Sequence, residues 1–164
     1  MDTDRSTNSD ATTSSKNSFL TSQSIESRKE LINKYLDKLE KNNYNDTEKD
    51  NIINLISTIF NDLIKEATIP GIERTINHVK YLLNKKNIEE FISNFITRVV
   101  KSKLLKKNIK IDLISNLIII INNLVNKQKN GIKKKIIEGI KKDIISKLSK
   151  DIKKDIKKDI LNTN

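Results

Sequence analysis

The sequence predicts an all-α protein of about six helices, in a bundle or a short stack of helical hairpins, and three observations carry that expectation. From residue 24 onward apolar residues recur at spacings of three and four, the period of a helix with one buried face. One proline and three glycines leave few interruptions, and polar capping residues stand where apolar runs begin. Residues 113–125 are apolar around most of a helix circumference, which belongs at the centre of a bundle. The chain divides into a polar tail over residues 1–23, a helical domain over residues 24–148 and a basic amphipathic arm over residues 149–164.

The tail is rich in Ser, Thr, Asn and Asp, with Phe19 and Leu20 as its sizeable apolar groups. It buries too little to offset its ordering entropy and is expected to be disordered, with hydroxyls open to phosphorylation. Ser27 and Glu30 have the spacing of a capping box, ahead of Leu31, Ile32, Tyr35, Leu36 and Leu39 in the first helix. Residues 42–46 read as a turn, with Asp46 or Thr47 capping a second helix whose stripe is Ile52, Leu55, Ile56, Ile59, Phe60, Leu63 and Ile64. Pro70 suits the first turn of a third helix, because a proline there loses no helical hydrogen bond. That helix carries Ile72, Ile76, Val79, Leu82 and Leu83 and is expected to stop near residues 84–86. Asn87 with Glu90 then predicts a new cap, followed by Phe91, Ile92, Phe95, Ile96, Val99, Val100 and Leu104. A fifth helix spans residues 108–126, with a short strand at residues 117–121 as the alternative that β-branched isoleucine allows.

The last helix, opening at Gly131, repeats an apolar residue every fourth position from Ile132 to Ile160. A helix turns about 100° per residue, so each step of four overshoots a full turn by roughly 40°. Ile132, Ile136, Ile140, Ile144 and Leu148 therefore face one core, while Ile152, Ile156 and Ile160 rotate off it. These three are the candidate partner-binding residues of a projecting arm, through which the chain would self-associate or meet a protein partner.

Charge is distributed unevenly. Residues 24–98 carry twelve basic and twelve acidic groups, whereas residues 99–164 carry eighteen lysines against six acids, within a formal net charge of +11. Lysine, isoleucine and asparagine are all read from A/T-rich codons, so coding composition accounts for abundant lysine. It does not account for lysine gathered at one end. A one-sided excess attracts polyanions and speeds their encounter. The candidate nucleic-acid-binding residues are Lys101, Lys103, Lys106 and Lys107; Lys133, Lys134 and Lys135; and Lys141, Lys142, Lys153, Lys154, Lys157 and Lys158. Antiparallel packing of the last two helices is expected to bring the first two groups to one end of the bundle. Arginine, the bidentate reader of guanine, is confined to Arg5, Arg28, Arg74 and Arg98, and the last aromatic is Phe95. Binding would rest on charge and shape. An anionic membrane surface is the less favoured polyanion, since the arm lacks Trp and Phe for interfacial insertion.

With no cysteine, thiolate chemistry, disulfides and cysteine zinc sites are excluded. The one histidine, His78, lies between apolar positions, and the acidic pairs fall in first turns, where they suit the helix dipole. Gly71, Gly131 and Gly139 are too far apart to cradle a phosphate. The expectation is a non-enzymatic protein without metal or cofactor. Residues 113–125 fall short of the roughly 20 apolar residues that span a bilayer, and no leader is evident, so a cytoplasmic or nuclear location is expected. A Ser/Thr-rich tail, a small bundle and a basic end are a combination shared with accessory proteins of A/T-rich viruses, plasmids and parasites.

Overall fold

Seven helices are present among the described residues of the computed structural model, which are 24–68, 78–129 and 131–162. They are α1 (Ile25–Glu40), α2 (Asp46–Ala67), α3 (His78–Lys101), α4 (Lys107–Lys127), α5 (Gly131–Ser146), α6 (Lys150–Asp155) and α7 (Lys158–Asn162). No strand occurs among these residues, so 117–121 are helical. The expected tail over residues 1–23 and the expected start at Pro70 lie outside the described residues, as does the His78 side chain.

Helix starts follow capping chemistry, though the caps of α1 and α2 lie upstream of the expected ones, by three residues and by one. The N-cap of α1 is Ser24, whose Oγ accepts from the Ser27 amide at 3.0 Å, so Ser27 lies inside the first turn. Asn45, rather than Asp46 or Thr47, caps α2. Its Oδ1 accepts from the Glu48 amide at 2.8 Å and Glu48 Oε1 accepts from the Asn45 amide at 3.1 Å, which satisfies two otherwise orphaned donors. Between α1 and α2 the chain reverses at Asn42, whose φ of 57° is left-handed and suits asparagine after a helix end.

The expected break at residues 84–87 is absent, and α3 runs without interruption from His78 to Lys101. Asn87 has a tertiary role instead of a capping one: its Oδ1 accepts from Lys29 Nζ at 2.8 Å and its Nδ2 donates to Glu26 at 3.0 Å, both on α1. At the other end of the same pair of helices Arg98 donates to Asp37 and Glu40. These contacts set α1 parallel to α3. With α2 reversed between them, Phe60 packs against Phe91 and Phe95, with ring centroids 5.8 and 4.8 Å apart.

α2 and α4 form the centre. Ile52, Ile53, Ile56, Ile59, Phe60, Leu63 and Ile64 of α2 are buried with Ile109, Leu113, Ile114, Leu117, Ile118 and Ile121 of α4. α1 and α3 pack against α2, while α5, α6 and α7 cover α4. At 21 residues α4 is longer than its sequence suggested, and it is long and apolar enough by composition to cross a membrane. Here it is packed by neighbours, with Asn122 nine-tenths buried and donating to the Ile160 carbonyl at 2.9 Å. Several expected core positions face outward, among them Leu55, which is 44% exposed, Leu82 46%, Leu83 62%, Leu104 62% and Ile132 65%. Leu104 yields its place to Leu105, because the helix ends at Lys101 and the chain turns there.

Arg28 is 2% exposed and is ion-paired with Glu66, tying α1 to the end of α2. Asp62 lies close by. Burial raises its carboxyl above the ordinary aspartate range, and the charges of Lys65 and Arg28 only partly oppose this. A carboxyl whose folded pKa is raised favours the fold below its unfolded pKa and loses that contribution as pH rises through the folded value. Asp62→Asn is therefore expected to raise the thermal midpoint at pH 7 and to give no gain at pH 3. A fall at pH 7 would show that its attraction to Arg28 outweighs its burial.

Candidate functional site

The connection from α3 to α4 is a pinned turn. Ser102 Oγ accepts from the amides of Leu104 and Leu105, each at 3.2 Å, and donates to Glu40 Oε2 at 3.1 Å. Lys110 Nζ donates to the Val100 carbonyl at 3.0 Å, closing the end of α3. Leu105 is buried beneath, so Lys101, Lys103 and Lys106 are held exposed on a defined piece of backbone.

α4 starts with an electrostatic deficit. Its N-cap, Lys106, makes no side-chain capping bond, and its first turn has no acid, so cations sit at the positive end of the helix dipole. The negative charge comes from far along the chain. Asp151 and Asp155, one turn apart on α6, both reach Lys107 Nζ, at 2.9 and 2.7 Å. Hydrogen bonds to Asp155 and Asp151 hold the Lys107 ammonium above the ordinary lysine range. This double ion pair joins the start of α4, beside the α3–α4 turn, to α6 with its exposed Lys150, Lys153 and Lys154.

The lysine groups are thus paired differently from the sequence expectation. α4 is 21 residues, about 30 Å, long. Lys101, Lys103, Lys106 and Lys107 stand at its start, whereas Lys133, Lys134 and Lys135 follow its far end by one short connection. Antiparallel neighbours joined by a short connection meet where the first ends and the second begins, which excludes the expected juxtaposition. It is the α6 lysines that join the first group. Lys157, between α6 and α7, and Lys158, at the start of α7, are exposed beyond them, and Lys142 is exposed on α5. Lys141 is removed from the surface: it is 8% exposed, and burial lowers its pKa below the ordinary lysine range against the opposing charge of Glu138.

The projecting arm is also corrected. Ile152 and Ile156 are 4% and 2% exposed in the core, and Ile160 is half-buried against it. A rotation of roughly 40° per four residues accumulates only along an unbroken helix. This helix breaks twice. Ser149 is extended, with ψ 159°, and its Oγ accepts from the Ile152 amide at 3.2 Å to start α6 afresh. Ile156, at ψ 135°, ends α6, and α7 follows. Each break resets the phase, so all three isoleucines return to α4. The signal was Ser149 followed by Lys150 and Asp151, an N-cap with an acid in its first turn.

Concavities among the described residues include the following two. A groove of about 550 Å³ between α3 and α5 is lined by Glu89, Glu90, Ser93, Asn94 and Asp143, but Glu89 pairs with Lys85 and Asp143 with Lys147. A cavity of about 300 Å³ is bordered by Asn122, Glu138, Lys141, Lys142 and Leu161. Among the described residues no group of three or more His, Cys, Asp or Glu is placed to hold a metal. Comparison with protein-family models, curated proteins and solved structures finds no match to this chain.

Proposed function

We propose that the chain is a non-enzymatic protein that binds nucleic acid by charge, without reading base sequence. The observation that carries this reading is the gathering of exposed Lys101, Lys103 and Lys106 with Lys150, Lys153 and Lys154 at one end of the bundle, around the Lys107 ion pair. Lysine ammoniums contact phosphates and release counterions, which makes binding steeply salt-dependent. Among the described residues, both arginines and the last two phenylalanines are committed elsewhere: Arg28 to Glu66, Arg98 to Asp37 and Glu40, and Phe91 and Phe95 to the core. The alternative of self-association or helix capture through the arm loses its apolar contacts, because Ile152 and Ile156 are buried.

The test is titration of a labelled 20-base-pair DNA duplex at several salt concentrations. Lys103→Glu with Lys153→Glu, one change on each element, is expected to weaken binding about a hundredfold at 50 mM salt and to flatten the salt slope by about 1.8. Lys134→Glu with Lys135→Glu, at the far end of α4, is expected to do less. Equal losses from both pairs, or wild-type binding indifferent to salt, would defeat the proposal.

A further inference from the structure

We infer that Asp151 and Asp155 act as an internal phosphate mimic, occupying Lys107 at the centre of the basic surface and holding down its affinity for polyanions. The inference rests on the proposed nucleic-acid reading and deepens it.

Geometry supplies the first support. Two carboxylates one turn apart converge on one ammonium at 2.9 and 2.7 Å, the distances of charge-assisted bonds that a phosphate oxygen would make to the same group. The second is position, since Lys107 follows Lys103 and Lys106 in the chain and is ion-paired to α6, which carries the exposed Lys150, Lys153 and Lys154. The third is exposure. Lys107 is 49% exposed and its two partners 72% and 43%, so both acids and the lysine are accessible to a competing anion in water. Exposed ion pairs of this kind contribute little to stability, and Ile152 and Ile156 hold α6 on α4 by burial. The acids can therefore be neutralised, or their lysine taken by a phosphate, without undocking the segment.

The opposite reading, in which the pair is a latch that aligns the two lysine groups, predicts the opposite sign. A double-mutant cycle on the same 20-base-pair duplex separates them. Asp151→Asn with Asp155→Asn is made in the wild-type chain and again with Lys107→Ala, and helical content and thermal midpoint are checked by circular dichroism. If the acids mask Lys107, their neutralisation in the wild-type background tightens binding about tenfold at 50 mM salt, beyond the change seen with Lys107→Ala, and steepens the salt slope by about 0.9, one released counterion. With Lys107→Ala only the general effect of two fewer negative charges remains. An identical factor in both backgrounds means simple charge addition and overturns the inference. Weaker binding of the doubly neutralised chain identifies a latch and also overturns it. Absence of salt-dependent binding by the wild-type chain defeats the nucleic-acid reading itself and takes this inference with it.

Discussion

Truncating Phe60 to alanine is expected to cost about 3–5 kcal/mol, measured as a fall in the denaturant midpoint at unchanged slope. Phe60 is 1% exposed on the central helix α2 and touches two other aromatic rings, Phe91 tilted at 31° and Phe95 edge-on at 67°. The loss combines the transfer energy of the ring, its edge-to-face contacts and the cavity left between α2 and α3, which the long helices cannot close without moving whole faces. Domains of this size have about 5–15 kcal/mol in hand, so the variant should be close to unfolding at 37 °C. A loss below 1 kcal/mol would mean that Phe60 is not at the packing centre described.

The second large effect concerns the C-terminal segment. Ile152→Ala and Ile156→Ala are each expected to cost about 2–5 kcal/mol, as buried large-to-small changes do. Were these residues on an arm in solvent, each change would fall within about 0.5 kcal/mol. The two outcomes do not overlap, so chemical denaturation of the single variants decides whether α6 is part of the core. Because Ile152 lies on α6 and Ile156 is the residue that ends it, the double variant should lose less than the sum if α6 undocks as a unit. A loss of helical signal before the main transition would report that undocking directly.

Helix class and most of the buried faces were legible in the sequence because they depend on local periodicity. The stripe from Ile52 to Ile64 needed no knowledge of neighbours, apart from Leu55, which sits at its edge. The failures have a common cause in partners distant along the chain. Asn87 resembled a cap because Asn and Glu three apart suit one, and only the approach of Glu26 and Lys29 from α1 gives it other work. The four-residue repeat at the end resembled one helix because isoleucine and lysine mask two breaks, of which Ser149 was the visible sign. For the candidate surface, the exposed lysines were identifiable from charge, whereas their grouping required the Lys107 ion pair, formed across more than forty residues. Burial of Lys141 had no sequence signal, since its neighbours in the repeat are lysines on the outside.

The order of the elements along the chain bears on how α4 is made. α4, the helix apolar around most of its circumference, is covered on one side by α2, already synthesised, and on the other by α5, α6 and α7, which follow it. At ribosomal rates of about 5–20 residues per second the chain spends a few seconds with that second side open, until residues 137–161 arrive to close it. During that interval the most water-averse surface of the protein is available to chaperones, to other nascent chains or to a membrane. The two breaks that fold the last isoleucines back onto α4 bring this exposure to an end.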